Sequence, residues 1–347
     1  MARSLLVGSL NLESADVVFE AVGEILGGDV SRVPDGETGD RLGWIAALEP
    51  RIAATEGLER TPHTWGESET RHSFSLFGPA PGLGPDDITF ANLGYADDAL
   101  ASYERFAAAV ERGVLADDVR FQVSLPTAYM ALMAYIELDH RDALTPAYER
   151  ALSHEVSRIV DGIPAHRLAI QWDCPCEVGI TEQVGPPHTW TLDDAGAELG
   201  RMGAMVPADV EVGYHHCYGD PPDEESGHGK HWMEPKDAGA MVRLTNAMLD
   251  HIERPVGWVH MPVPIERSDD AFFAPLSDLS LPEDTELYLG LVHFEDGVAG
   301  TQRRIETASR HAPSFGVAAE CGLGRVPRAE VVPTLHIHHD VDVPIRR

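Results

Sequence analysis

Two histidines and a cysteine stand in a row in "VGYHHCYGD" (212–220), and a second cysteine lies far down the chain in "AAECGLGR" (318–325). Thiolate and imidazole are the ligands a zinc ion prefers. Along an extended strand, residues i and i+2 point the same way. His215 and Cys217 can therefore face one metal while His216 turns to the other side, with Cys321 as a partner from a second strand end. The same cysteines also read as small buried hydrophobes closing two strands, and spacing alone does not choose between these readings.

Other residues that could do chemistry sit in similar positions. The loop "PDGETGDR" (34–41) places Asp35, Glu37, Asp40 and Arg41 around two glycines. It can hold a ligand through paired charges, with Arg41 facing an anionic group, or it can be a turn with a solvated face. "WDCPCE" (172–177) offers Asp173, Cys174 and Cys176, while His260, His293 and Glu320 stand singly at apolar runs or just after them. "HTW" (63–65 and 188–190) reads as a chance repeat in loops, and "HIHHD" (336–340) as the exposed end of the last element.

Such residues converge only if the elements bring them to one end. Short apolar runs at 4–9, 30–35, 118–125, 167–173, 209–217, 255–261, 286–292 and 314–321 read as strands. Between them, apolar residues at three- and four-residue spacing predict helices over 14–27, 98–114, 147–163 and 235–253, with Ser14 as an N-cap and Pro235 in a first turn. Eight strands alternating with helices predict an α/β fold, a single (β/α)8 TIM-type barrel over 1–347, with an open doubly wound sheet second. Segment 50–97, rich in Gly, Pro and His, reads as a long insertion leaning over one end, and 218–234 as a second polar loop. In such a barrel, strand ends and the loops after them carry the active groups. No G-x-G-x-x-G follows the first strand and no G-x-x-x-x-G-K-[ST] occurs anywhere, which counts against dinucleotide and P-loop folds.

Composition sets outer bounds. The net charge of −31, from 57 acidic and 26 basic residues, disfavours nucleic acid and anionic membrane surfaces as partners. No run approaches the roughly 20 apolar residues of a membrane span, so the expectation is a soluble, cytoplasmic protein. Four cysteines in 347 residues do not make a disulfide framework. A homo-oligomer is compatible with all of this.

"HHCYGD" followed at a distance by "ECGLGR" resembles the cobalamin-independent methionine synthase family, in its C-terminal catalytic barrel. "LLVGSL" (5–10), "SLPT" (124–127), "IQWDCP" (170–175) and "YLGLV" (288–292) resemble further family segments in the same order. The resemblance implies zinc held by His215, Cys217 and Cys321. The family's glutamate ligand closes the next strand, but here that strand ends "GWVHMP". The fourth position thus falls to His260, with Glu266, His293 or water as alternatives. Asp173 holds the place of an aspartate that contacts the amino group of an amino-acid thiol, although Cys174 departs from the glutamate that follows it in the family.

The implied reaction is zinc-dependent transfer of a methyl or other alkyl group to a small-molecule thiol, activated as a zinc-bound thiolate, with a methyl-folate as the implied donor. Asp35, Glu37 and Arg41 would bind substrate, and His293 with Asp296 would protonate the leaving group. Thiol addition to an epoxide uses the same logic. A zinc-dependent lyase or hydrolase acting on a small carboxylate, and a metal-free binding barrel, are the alternatives from other classes.

Overall fold

The computed structural model describes residues 3–65, 74–90, 92–183, 189–219, 233 and 235–344. Its strands are β1 (Arg32–Pro34), β2 (Leu58–Trp65), β3 (Phe74–Pro79), β4 (Arg120–Pro126), β5 (Leu168–Cys174), β6 (Glu211–His216), β7 (Trp258–Pro262), β8 (Glu286–Val292) and β9 (Gly316–Ala319). Seven of them form one sheet in the order β1-β4-β5-β6-β7-β8-β9, and every neighbouring pair is parallel. These strands are rich in β-branched and aromatic residues and buried almost throughout, as a parallel sheet covered by helices requires. The result is a curled, TIM-like α/β fold.

The strand expected over 4–9 takes a looser form. Ser4 and Leu10 make isolated parallel bridges to Val317 and Leu323. On its other side the segment donates from the Ser4 amide to Asp29 O (2.9 Å) and from the Leu10 amide to Gly36 O (2.8 Å). It thus links the two edges of the sheet, and the side chain of Gln122 holds it from inside through the carbonyls of Leu6 (3.0 Å) and Val7 (3.1 Å).

Helices connect the strands. Ser14 caps Ala15–Ile25, its side chain accepting from the Val17 amide, and Phe19 and Val22 are fully buried on the inner face. The helix expected over 147–163 is the C-terminal part of a longer one, Leu138–Gly162. That expected from 235 starts at Gly239 (Gly239–His251), because Asp237 accepts from the Gly239 amide at 2.8 Å and begins the turn there, leaving Pro235 ahead of it. The 50–97 insertion contains the antiparallel pair β2–β3, which docks by a Phe77–Ile136 bridge beside the helix that follows β4. "HIHHD" closes the helix Arg328–Asp340, and within it His338 is fully buried. Residues 220–232 and 234 of the second polar loop, and His188, lie outside the described residues.

No helix among the described residues is long and apolar enough to cross a membrane.

Candidate metal centre

The strand ends gather the predicted residues at the C-terminal rim. His215 lies on β6 and Cys217 directly follows it, while Cys321 follows β9. Gly290 on β8 makes room for that turn, since a Cβ there would stand 2.7 Å from the Cα of Glu320 and 2.9 Å from that of Pro262. The Sγ atoms of Cys217 and Cys321 are 3.8 Å apart, so both thiols are free, and His215 Nε2 is 3.8 Å from Cys321 Sγ. The three ligand atoms all lie within 4.8 Å of one another. Tetrahedral zinc, with Zn–S of about 2.3 Å and Zn–N of about 2.0–2.1 Å, needs ligand–ligand edges of roughly 3.5–3.8 Å. Two edges of the triangle already approach that size, so the donor set fits the ion in chemistry and in spacing.

The thiols are prepared to carry negative charge. The Gly219 amide donates to Cys217 Sγ at 3.3 Å, and the Arg325 guanidinium donates to Cys321 Sγ at 3.3 Å. The two cysteines are hydrogen-bonded to each other. The hydrogen bond from Cys217, helped by the charge of Arg325, holds the Cys321 thiol well below the ordinary range, and the same bond pushes Cys217 up. The spacing of Arg325, four residues past Cys321 in "ECGLGR", was the available signal for a residue the motif analysis passed over.

His260 is buried at the register position opposite His215, and the two rings meet through their Nδ1 atoms at 2.7 Å. Its Nε2 is 3.1 Å from Ala319 O. Among the described residues the three-ligand group contains His215, Cys217 and Cys321, and His260 stands behind His215. His216 points outward as strand alternation predicts, its Nε2 2.7 Å from Thr245 Oγ1. Burial pushes that ring down to about 3. Cys174 Sγ lies 3.1 Å from His215 O, and Cys176 packs 3.0 Å from Met130 Sδ, so both are core thiols pushed well up by burial.

A second cluster of carboxyls adjoins the thiols. Asp173 at the end of β5 accepts from Gln171 Nε2 (2.9 Å) and Trp44 Nε1 (3.1 Å). Burial, and then the nearby charges of Glu37 and Cys321, push its carboxyl well above the usual range. Glu37 is likewise pushed up, to about 8, by burial and then by Asp35. Its φ of 46° and the φ of 78° at Gly36 place it in a left-handed turn, which Asp35 fixes by accepting from the Glu37 amide at 2.8 Å. Asp35 also pairs with Arg41 and accepts from Ser102 Oγ at 2.5 Å.

Trp44, absent from the predicted site, has φ 47° and ψ −112°, a costly conformation for a side chain of its size. It lines a cavity of about 310 Å³ together with Asp35, Glu37, Arg41, Arg51 and Ser124. This volume suits a small organic molecule.

The proposed acid pair is arranged differently. His293, just past β8, has Nε2 2.9 Å from Val263 O. Asp296 accepts from both terminal nitrogens of the fully buried Arg304, each at 2.7 Å. Burial opposes the charge on Asp296, but Arg304 holds its carboxyl below the usual range.

No protein-family description matches the sequence, and no curated protein matches it either. Solved structures do share the fold. The chain is similar to a protein described as a vitamin-B12-independent methionine synthase from Listeria monocytogenes, with a TM-score of 0.61, 14% identity, and 97% of this chain and 96% of that chain covered. It is similar to a B12-independent methionine synthase from Shewanella sp. W3-18-1, solved with selenomethionine, at TM-score 0.60 and 12% identity over 93% of this chain and 83% of that chain. A methyltransferase from Methanosarcina mazei matches at TM-score 0.54 and 12% identity, over 96% of this chain and 94% of that one. At these identities the likeness establishes the fold.

Proposed function

We propose that the chain is a single catalytic (β/α)8 domain that transfers a methyl or other alkyl group to a small-molecule thiol, with zinc held by His215, Cys217 and Cys321. The observation that carries this reading is the rim triangle of one imidazole and two thiols, with 3.8 Å edges, on a fold similar to methionine synthases and a methyltransferase. A zinc ion there would supply a Lewis acid that lowers the pKa of a coordinated thiol toward neutrality.

The other roles belong to the chain's own residues. Asp173, whose carboxyl feels the charges of Glu37 and Cys321, would bind the polar end of the acceptor together with Glu37. Arg41, tied to Asp35 by one terminal nitrogen, keeps other guanidinium donors for an anionic group of the ligand in the cavity. In the transfer, a sulfur–carbon bond forms, the carbon–leaving-group bond breaks, and the leaving group takes a proton. Glu37, which keeps its proton up to about pH 8, can supply it from the cavity wall. His293, with the ionised Asp296 as its charge partner, is the second candidate donor. The complex of a similar structure with selenomethionine supports an amino-acid acceptor, and a methyl-folate remains the proposed donor.

The test is X-ray absorption at the zinc edge of the loaded protein, with and without a panel of small thiols. An added sulfur scatterer with one thiol is the expected result. No change with any thiol would overturn alkyl transfer to sulfur.

A further inference from the structure

The histidine that stands where a fourth ligand was expected makes a different set of contacts. His260 is fully buried, and its two ring nitrogens have two partners among the described residues, Ala319 O and His215 Nδ1. A backbone carbonyl can only accept, so His260 Nε2, 3.1 Å from Ala319 O, carries a hydrogen. A fully buried ring whose partners are one carbonyl and one imidazole is neutral, since an uncompensated charge there would be costly. His260 Nδ1 is then a lone pair. Across a gap of 2.7 Å, two facing lone pairs would repel, so His215 Nδ1 must hold the hydrogen. His215 Nε2, 3.8 Å from Cys321 Sγ and part of the three-ligand group, is left as the free lone pair.

We propose that His260 is a positioning residue: it sets His215 in the Nδ1–H tautomer and aims the Nε2 lone pair at the metal position, while contributing no bond to the metal itself. This rests on the metal reading of the rim and refines it. The protein supplies three donors, and the fourth position is left to the substrate. Outer partners of this kind fix both tautomer and ring orientation of a metal-binding histidine. Here the order originates at a backbone carbonyl of β9, the strand that also precedes Cys321. One strand end therefore positions two of the three donors.

The test reads tautomers directly. Long-range 1H–15N correlation spectra of reduced, metal-free protein labelled at histidine nitrogens are recorded, followed by zinc titration. The expected result is hydrogen on Nδ1 of His215 and on Nε2 of His260, with zinc shifting His215 Nε2. Hydrogen on His215 Nε2 in the metal-free protein, or zinc bound to a His260 nitrogen, would overturn the proposal. His260→Leu should weaken zinc binding by about 10- to 100-fold, and His260→Asn, which keeps an acceptor and a donor, by less than about 3-fold. Equal affinity in His260→Leu and the parent protein would also overturn it. A protein with the expected tautomers but no zinc uptake would overturn the metal reading while supporting the order of the histidine pair.

Discussion

The two ends of the curled sheet handle buried charge in opposite ways. At the floor, where the strands begin, Arg32 of β1 reaches Glu211 of β6 at 2.6 Å and Glu286 of β8 at 2.9 Å. Its guanidinium lies 4.2 Å from the Trp258 ring centre, and Arg120 adds a second cation to Glu211 at 3.0 Å. Two cations thus meet two carboxylates, and both carboxylates keep little exposure. At the rim, Asp35 has Arg41 and the cysteine pair has Arg325, but Glu37 is raised by burial and then by Asp35, and Asp173 by burial and then by Glu37. The floor balances its carboxylates with arginines, whereas the rim holds protons on them. Buried carboxyls with perturbed protonation of this kind cluster at functional sites, and such a site suits a metal and a polar ligand.

This contrast can be broken at either end. The largest expected effect is at the floor. Arg32→Ala should cost about 3 kcal/mol in urea unfolding, the lower end of the range for breaking a buried pair, because Glu211 and Glu286 keep 19% and 18% exposure. Zinc affinity should not change. A variant of unaltered stability but reduced zinc affinity would reverse the assignment of the two ends.

The next effect is the pH response of the rim. Glu37 rises from 4.5 to about 8 on folding, so between these values the folded protein holds a proton that the unfolded chain has released. Stability of the metal-free protein should therefore fall as pH rises through that window, by up to about 1.4 kcal/mol per pH unit for this group. Glu37→Gln should flatten the slope; denaturation midpoints that shift identically in both proteins would contradict the role given to Glu37. Smallest is Trp44→Phe, which removes one donor from Asp173 and should cost about 1 kcal/mol by the same unfolding measurement. A gain in stability would contradict the role given to that bond.

Much of the rim was legible because strand geometry is periodic. The i, i+2 rule alone separates His215 and Cys217 from His216, and the structure buries His216 against Thr245 on the outer side. The partnership with Cys321 came from motif resemblance, since no local pattern ties residues on strands that far apart in sequence. The chemistry of His260 was hidden for a similar reason. Its inward position on β7 follows from alternation, but its ring order depends on Ala319 O, a carbonyl whose direction only the assembled sheet fixes. Arg32 was invisible for the complementary reason, because its carboxylate partners begin two distant strands. The segment at 4–9 has a strand's composition yet makes isolated bridges in place of a continuous ladder, with further links to Asp29, Gly36, Gln122, Ser124 and Gln171. Trp44 could not be foreseen, since a positive φ is carried by the turn and not by the residue type.

The central claim is that the rim, and not the floor, holds a metal through one imidazole and two thiols. An anaerobic zinc competition titration against a chromophoric chelator tests it most directly, on the parent protein and on Cys217→Ser, Cys321→Ser and Arg32→Ala. The account predicts one zinc per chain in the parent and in Arg32→Ala, and a loss of affinity above roughly 100-fold in each cysteine variant, exceeding what outer partners cost. No stoichiometric zinc in the parent, or cysteine variants that bind as the parent does, would contradict it.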